Sequence, residues 1–284
     1  MYTIAIIGDI HDWHTQQIEF NLKKKKCKVL KIKYEDLNAN FNKKEKFFLN
    51  EELKEIDGVW LRFIKTGTLE EITTKLTFMH LIESQGIYIH NSPQTIEKTV
   101  DKVRTSGILK INNILAPDTK VTLKNSIKIK ENRNYLLKPI FGSQGKNIVL
   151  IENISKLKKT NPAGNVYYLQ EFIGNINEKE FWDIRILVSK HRPISIMKRT
   201  SKKIFTNVFQ GATTQKISLN KELVSLSEKV SKLFNLGYGG IDIKFYNKKY
   251  FVLEVNSIPS WKGIQEIENK NISQILVNDF LSKI

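Results

Sequence analysis

The chain has 284 residues and carries 46 lysine and arginine residues against 29 aspartate and glutamate residues, a formal net charge of +17 at pH 7. This length allows a substantial core divided over two or three subdomains, and because no apolar run approaches about 18 residues, neither a membrane-spanning helix nor a membrane partner is expected. The single cysteine, Cys27, excludes an internal disulfide and, with an amino terminus that lacks the features of a signal peptide, predicts a cytoplasmic protein.

The excess of positive charge raises the hypothesis of a basic nucleic-acid-binding α/β protein. However, only six of the basic residues are arginine, and the lysines are spread along the whole chain. Nucleic-acid readers usually cluster their basic residues and use arginine to contact bases and phosphates. We therefore expect an attraction for small anionic substrates and do not favour nucleic acid as the partner.

Strands and helices alternate in the amino-terminal part of the chain. The predicted segments are a strand at 2–7, a helix at Trp13–Leu22, and strands at Cys27–Ile32 and Asp57–Arg62. This alternation favours a parallel α/β sheet, in which ligands gather at the carboxyl ends of the strands. The rule places Gly8–His11 and Arg62 at the mouth of a cleft. We expect His11 and His14 to be surface residues, because no third metal ligand lies near them.

A second domain is predicted to begin near residue 90. Before this boundary, apolar spacing predicts a helix at Leu69–Glu83, and a short strand follows at Ile87–His90. After it, Asn91–Pro93 opens a further helix that contains Asp101 and Lys102.

A lysine interrupts the apolar strand predicted at Tyr135–Phe141, and a glycine-flanked loop, Gly142–Lys146, follows that strand. The loop is compatible with a plain β-turn, or with backbone N–H groups and Lys146 closing over phosphates. It is not a Walker loop, because the eight-residue spacing and the following helix are absent. A lysine inside an apolar strand requires an anionic partner, so Lys138 favours the phosphate-binding alternative.

Further strands are predicted at Tyr167–Ile173, Phe181–Val188 and Pro193–Arg199. Asp183 and Arg185 are two residues apart on the second of these strands and therefore share one face. Such a charge pair is unusual within an apolar run. An amphipathic helix at Leu219–Leu236 follows.

A hairpin with two acidic residues is predicted near the carboxyl end, with strands at Ile241–Phe245 and Tyr250–Val255. Glu254 and Asn256 point to one face, and pairing about the turn brings Asp242 beside them. Three oxygen ligands on rigid strands suit a hard divalent cation such as Mg²⁺. The alternative is a solvated hairpin with two exposed acids, which the apolar surroundings of both carboxylates disfavour.

The order of these motifs resembles the ATP-grasp carboxylate–amine ligases, above all their branch of ribosomal-protein glutamate ligases, the RimK type. The resemblance covers about residues 88–284 and rests on the combination of motifs. The motifs are Asp101-Lys102, Lys138-Pro139, Gly142–Gly145, Gln170–Ile173, Asp183–Arg185, and Asp242 with Glu254–Asn256. Residues 1–90, with Gly67–Glu71 and followed by Asn91–Pro93, look most like members that attach glutamate to a pterin, the tetrahydromethanopterin:glutamate ligase type.

The resemblance implies an α/β (α+β) protein with the ATP-grasp fold. It implies an amino-terminal parallel pre-ATP-grasp domain at 1–90, a central lid subdomain at 91–165, and a carboxyl-terminal ATP-grasp subdomain with the metal site at 166–284. It also suggests a homo-oligomer, a dimer or larger.

The resemblance further implies roles for individual residues. ATP binding falls to Lys102, Lys138, Ser143, Gln144, Gly145, Gln170, Glu171, Phe172, Ile173, Asp183 and Asn207. Within this set the lysines and the loop contact phosphates, residues 170–173 contact adenine, and Asp183 faces the ribose. Asp242, Glu254 and Asn256 hold Mg²⁺, with Mn²⁺ as an alternative. Arg185 and Arg199 are the implied catalytic residues, because guanidinium groups bind oxyanions at two points.

The implied reaction joins a carboxylate to an amine through an acyl phosphate formed from ATP, which needs no nucleophilic side chain. The expected substrates are ATP, glutamate and a carboxylated coenzyme acceptor such as a tetrahydromethanopterin-type pterin. Where the ribosomal-protein ligases carry Arg-Gly-Gly, this chain has Gln210–Ala212, which predicts a different acceptor pocket. The alternatives are a ligase that modifies a protein or carrier-protein terminus, and an ATP-grasp module that binds nucleotide without turnover.

Overall fold

The computed structural model describes most of the chain. The described residues are 1–41, 48–50, 53–65, 67–123, 129, 133–142 and 145–284. Ser143 and Gln144, which the resemblance assigns to the phosphate loop, lie outside them. Within the described ranges, no helix combines the length and the apolar character needed to cross a membrane.

The amino-terminal region forms a parallel sheet, as the alternation of strands and helices predicts. Its elements are β1 (Thr3–Ile7), β2 (Lys28–Ile32), β3 (Ala39–Asn40), β4 (Phe48–Leu49), β5 (Gly58–Leu61), β6 (Tyr88–His90), α1 (Trp13–Lys24) and α2 (Leu69–Ser84). The sheet order is β2-β1-β5-β6 with parallel pairing, and β3 and β4 form a separate antiparallel ribbon. Because β1 and β5 are parallel, the loop after Ile7 and Arg62 lie at the same edge of the sheet.

The helix predicted around Asp101 is in fact two helices, α3 (Pro93–Val100) and α4 (Lys102–Ile111). Asp101 has φ −84° and ψ 104°, outside the helical region, and its carboxylate accepts hydrogen bonds from the backbone N–H groups of Val103 and Arg104. An aspartate in this position caps the amino terminus of a new helix. The single-helix prediction is therefore wrong, and Lys102 is the first residue of α4.

The central region forms an antiparallel sheet with its own small core. Its elements are β7 (Thr119–Thr122), β8 (Tyr135–Lys138), β9 (Val149–Ile151), α5 (Ile154–Lys158) and β10 (Tyr167–Glu171). The sheet order is β7-β10-β8-β9. The strand predicted to reach Phe141 ends at Lys138, before Pro139, which lacks the N–H group that a further ladder bond requires.

A five-stranded antiparallel sheet completes the fold. Its elements are β11 (Phe181–Ser189), β12 (Arg192–Ser201), β13 (Thr213–Lys216), α6 (Lys221–Phe234), β14 (Tyr238–Tyr246), β15 (Lys249–Asn256), α7 (Lys262–Ile267) and α8 (Ile272–Leu281). The sheet order is β13-β12-β11-β14-β15. Short 3₁₀ turns occur at Tyr34–Asp36, Ala163–Asn165 and Val208–Gln210.

The last helix joins the amino-terminal sheet to the five-stranded sheet. Phe280 of α8 is fully buried against Trp60 of β5, with ring centroids 5.2 Å apart. The indole N–H of Trp60 donates to the hydroxyl of Tyr238 at 3.2 Å, and the Asn91 side chain donates to the carbonyls of Tyr238 and Ser257. These contacts hold the carboxyl edge of the parallel sheet beside the ends of β14 and β15.

Candidate active site

A cavity of about 680 Å³ lies between the three sheets. Many of the predicted site residues line it, although they come from distant parts of the chain. They are Lys102, Lys138, Gly145, Asp183, Arg185, Arg199, Asn207, Asp242, Glu254 and Asn256. The fold thus brings together the predicted phosphate-binding, catalytic and metal-binding groups.

The predicted hairpin places Asp242 directly opposite Glu254. Asn247 and Lys248 form its two-residue turn with φ of 47° and 58°, the geometry favoured in tight hairpins. Continuous pairing from this turn would place Asp242 opposite Leu253. However, the register shifts between Asp242 and Ile243, and a bulge of this kind adds one residue to one strand. The two carboxylates face each other because of that shift.

Asp242 takes part in a buried ion-pair network. Its carboxylate accepts two hydrogen bonds of 2.7 Å from Arg185 and lies 3.0 Å from Arg199. Arg199 in turn holds Asp183 with two hydrogen bonds of 2.7 and 2.5 Å, and the hydroxyl of Thr206 donates to Asp183 at 2.6 Å. The arginines implied to bind an acyl phosphate thus bind carboxylates of the chain, and both oxygens of Asp183 have partners within the protein.

The network stabilises the charged forms of Asp242 and Arg199. Burial opposes the ionised form of Asp242, but the charges and hydrogen bonds of Arg185 and Arg199 outweigh burial and lower the pKa of Asp242. Burial likewise opposes the charge of Arg199, and Asp183 with Asp242 raises its pKa nonetheless. Two carboxylates and two guanidinium groups therefore form a rigid, electrically balanced wall of the cavity.

Lys138 is half-buried on β8 and donates to the side-chain oxygen of Gln170 at 2.6 Å. Burial lowers the pKa of Lys138 to about 8, although the nearby Glu254 carboxylate acts in the opposite direction. Lys102 donates to the carbonyl of Gly142 at 2.9 Å, and its ammonium group is 3.8 Å from the Glu254 carboxylate. Two lysines and one glutamate thus share this end of the cavity.

The predicted adenine-binding residues Gln170, Glu171, Phe172 and Ile173 do not belong to the cavity lining. Gln170 is buried beside Lys138, and the Glu171 carboxylate binds Arg133 at 2.7 and 2.8 Å. The backbone N–H groups of Glu171 and Phe172 donate to the carbonyls of Asp118 and Asn134, both at 2.8 Å. Gln170 therefore holds Lys138, and the backbone hydrogen bonds of Glu171 and Phe172 anchor the end of β10.

Gly145 and Lys146, at the end of the glycine loop, lie against the segment after β12. Gly145 has φ of +70°, and a Cβ atom there would lie 2.4 Å from the side-chain nitrogen of Asn207. The ammonium group of Lys146 lies 5.8 Å from the centroid of the Phe209 ring. Asn207 is therefore next to Gly145, and its role in ATP binding stays a prediction.

The side of the cavity next to the parallel sheet contains residues that the sequence analysis did not predict. Asp12, His14 and Ser260 line the cavity together with the predicted Arg62. The prediction of a surface residue at His14 is wrong, because His14 is only 7% exposed and its ring contacts Asp12, Ser260 and the backbone N–H of Trp261. The sequence feature that could have indicated a buried His14 is Asp12, an acidic residue two positions before it and shortly after the first strand.

The donor chemistry of Asp242, Glu254 and Asn256 fits a hard cation, because all three offer oxygen. The described residues contain no cluster of three histidine, cysteine or acidic residues arranged for a metal, and the predicted set needs the Asn256 amide as its third member. The Asn256 side-chain nitrogen is buried without a hydrogen-bond partner among the described residues. An unpaired buried N–H of this kind requires a hydrogen-bond acceptor such as a phosphate oxygen, whereas the side-chain oxygen of Asn256 is the atom that could hold a cation.

Comparisons with known proteins agree with this architecture. Residues 99–280 match the model of the RimK-like ATP-grasp domain. The tetrahydromethanopterin:alpha-L-glutamate ligase of Methanococcus maripaludis is 29% identical over 98% of each chain. The coenzyme gamma-F420-2:alpha-L-glutamate ligase of that organism is 29% identical over 69% of this chain and 73% of its own.

Among solved structures, the ATP-grasp ligase PsnB complexed with a minimal precursor superposes with a TM-score of 0.76 and 17% identity, over 100% of this chain and 99% of that one. This likeness confirms the predicted ATP-grasp fold. The family match confirms the predicted ligase class. The chain belongs to the RimK-like ATP-grasp family.

Proposed function

We propose that this ligase joins the amino group of L-glutamate to a carboxylate of a small coenzyme, with ATP converted to ADP and phosphate. The observation that supports the proposal most is the cavity in which Lys102 and Lys138 meet Glu254. The Lys102 ammonium group, which suits a phosphate, lies 3.8 Å from the Glu254 carboxylate, whose oxygen atoms suit a divalent cation.

The proposed acceptor is a pterin of the tetrahydromethanopterin type. A relative that matches nearly the whole chain carries that substrate in its name. Gln210–Ala212, in place of the Arg-Gly-Gly of the ribosomal-protein ligases, supports a small acceptor over a protein terminus. Gln210 also lies close to the phosphate loop, with its side-chain nitrogen 3.0 Å from the Cβ position of Gly145.

ATP and Mg²⁺ are the proposed ligands of the cavity. Lys102, Lys138 and the loop at Gly145 would neutralise and cover the phosphates, and Glu254 with Asn256 and Asp242 would hold the cation. Bound Mg²⁺ would draw charge away from the transferred phosphoryl group. The ion-pair network would keep Asp242 ionised and fixed in position, which is the contribution of the chain itself.

The proposed chemistry has two steps. An acceptor carboxylate oxygen attacks the γ-phosphorus of ATP, and ADP leaves with the electron pair of the broken bond. The amine then attacks the carbonyl carbon of the acyl phosphate, loses a proton, and inorganic phosphate departs. Orientation and fixed positive charge supply the catalysis.

The division of the chain at residues 90 and 165 is part of the proposal, with the segment between them acting as a lid. However, β10 lies beyond residue 165 and pairs with β7 and β8 of the central sheet, so the proposed lid extends to the end of β10. The hinge would then lie after β10, where Glu171 and Phe172 are anchored by backbone hydrogen bonds.

The direct test measures ADP release with Mg²⁺, L-glutamate and tetrahydromethanopterin, and the mass of the product. We expect release that requires all three and a product heavier by one glutamate residue. Coenzyme γ-F420-2 and a carrier protein with a terminal glutamate serve as competing acceptors. Turnover with either of these and none with the pterin would contradict the proposed acceptor, and ATP binding without any release would contradict the ligase reaction.

A further inference from the structure

Arg62 follows β5 in the wall of the cavity and is 4% exposed. Within the described ranges its guanidinium group has only long contacts, 3.3 Å to the Asp12 carboxylate, 3.4 Å to the Tyr238 hydroxyl and 3.5 Å to the Pro259 carbonyl. Its buried Nε–H has no partner within the described part of the chain. Charge-assisted hydrogen bonds of arginine are normally about 2.7–2.9 Å long. Arg62 is therefore a buried cation whose hydrogen-bonding capacity is underused.

The contrast with the other arginines of the cavity is direct. Arg185 and Arg199 each hold a carboxylate by two hydrogen bonds of 2.7 Å or less. Arg62 has the same fork of donors but no such two-point partner among the described residues. A buried group of this kind is expected to be satisfied by something absent from the folded chain, and the ligands that match the fork are a carboxylate or a phosphate.

Neighbouring residues fix the orientation of Arg62. The backbone N–H of Trp261 can only donate, so the Nε2 atom of His14 accepts and the proton of His14 lies on Nδ1, directed at Asp12 at 3.0 Å. The Arg62 guanidinium also lies over the Trp261 ring, 5.0 Å from its centroid. Asp12, itself held by His14, thus contacts one terminal nitrogen of the guanidinium, and the Nε–H is left without a partner among the described residues.

Arg62 is also near the ion-pair network, through Pro259 and Gly240. Gly240 lies between Pro259 and Arg185, because a Cβ atom at Gly240 would be 3.1 Å from the Pro259 side chain and 3.6 Å from Arg185 Nε. Arg62 in turn lies 3.5 Å from the carbonyl oxygen of Pro259. The proposed phosphate groups lie toward Lys102 and Lys138, contributed by α4 and β8. Arg62 lines the same cavity from the parallel sheet, and its polar contacts are Asp12, Tyr238 and Pro259, with neither lysine among them.

We propose that Arg62 binds a non-reacting carboxylate of the amine-donating amino acid, and that Asp12 and His14 are positioning residues for its guanidinium. The inference rests on the proposed function. The reacting carboxylate of the acceptor must approach the phosphates. The amino-acid donor, in contrast, keeps its own carboxylates ionised throughout the reaction, and these need a cation that lies away from the phosphates. The ligand class is an α-amino dicarboxylic acid, with L-glutamate as the probe.

The test compares steady-state constants of the wild type and Arg62→Lys, with ATP, L-glutamate and the acceptor varied in turn. Lysine keeps the charge and loses the two-point fork. We expect the KM for L-glutamate to rise by about tenfold or more, with the KM for ATP within about twofold. Asp12→Asn should raise the same KM by a smaller factor. Arg192→Lys, an exposed arginine outside the cavity, is the matched control and should change nothing.

Arg62→Ala adds a second readout, because millimolar guanidinium should partly restore its turnover. Unchanged ATP affinity and an unchanged melting temperature would show that the variants are folded. An unaltered KM for L-glutamate in a folded Arg62→Lys variant overturns the inference, as does a rise in the KM of the acceptor alone. If the wild type shows no glutamate-dependent ADP release, the proposed function fails together with the inference, and the two failures are therefore distinguishable.

Discussion

Arg185 and Asp242 are paired across β11 and β14, and the guanidinium group holds the carboxylate by two hydrogen bonds of 2.7 Å. The Asp242 side chain is only 6% exposed, and a third contact of 3.0 Å comes from Arg199 on the next strand. The same carboxylate faces Glu254 across the hairpin. Asp242 therefore links the proposed metal site to the buried arginines.

Replacement of Asp242 by asparagine should affect both stability and turnover. The variant leaves Arg185 and Arg199 with one carboxylate between them, and an uncompensated buried charge costs about 3–5 kcal/mol of unfolding free energy. We expect ADP release by the folded fraction to fall by about 100-fold or more, as for loss of a preorganised electrostatic group. Urea unfolding and ADP-coupled assays measure the two effects.

Glu268→Gln is the control for this variant. Glu268 is also a buried carboxylate in an ion pair, with Lys216 at 2.8 Å, but it is outside the cavity lining. Its loss should reduce the unfolding free energy by about 1–3 kcal/mol and leave turnover intact. Equal losses of activity in both variants would mean that Asp242 acts only through stability.

Lys138 predicts a pH dependence of nucleotide binding. The pKa of Lys138 is lowered to about 8, so its charge is present below that pH and is lost as the pH rises through it. Phosphate groups, with a second pKa of about 6, do not titrate in this range. The dissociation constant for a non-hydrolysable ATP analogue should therefore increase between about pH 7 and pH 9.5, by up to about tenfold per pH unit above the pKa.

The control for the pH effect is Lys138→Arg, which stays charged at every pH tested. Its binding curve should be flat over the range in which the wild-type affinity falls. An equal pH dependence in both proteins would assign the titration to another group.

Much of this site is predictable from the sequence because strand geometry determines which side chains share a face. The alternation of side chains along a strand is enough to put Asp183 and Arg185 on one face of β11. A turn at Asn247 is enough to pair β14 with β15. The opposition of Asp242 and Glu254 depends in addition on the bulge near Leu253. One extra residue in a strand leaves no recognisable pattern in an apolar sequence, so the position of the bulge could not be predicted.

The arginine pairings were not predictable for a different reason. Arg199 and Asp183 meet because β12 returns beside β11 in one register, and many registers are compatible with the two apolar strands. The burial of His14 likewise depends on Ser260 and Trp261, which are distant in sequence. Long-range packing decides such contacts, whereas local periodicity determines only the elements.

The close contact between Gly145 and Asn207 leads us to expect that Gly145 contributes to ATP binding. Its φ of +70° disfavours any side chain, and a Cβ atom would lie 2.4 Å from the Asn207 nitrogen. Gly145→Ala should therefore displace the loop and raise the KM for ATP by about tenfold. Gly164 has nearly the same φ, +69°, with no atom within 4 Å of its Cβ position. Gly164→Ala should cost about 1 kcal/mol of stability with no change in the KM, and a similar KM in both variants would contradict the prediction.

Phe280 tests whether α8 is required to hold the parallel sheet against the rest of the molecule. Its ring is fully buried and lies within 6 Å of the rings of Trp60, Tyr88 and His90. Removal of a buried phenylalanine ring costs about 3–5 kcal/mol, so Phe280→Ala should lower the guanidinium chloride midpoint substantially. Phe20→Ala removes the same ring from an exposed position on α1 and should change the unfolding free energy by about 0.5 kcal/mol or less. Comparable losses in the two variants would show that the interface between α8 and the sheet contributes little, and that the Arg62 wall of the cavity is held in place by the Asn91 and Tyr238 hydrogen bonds instead.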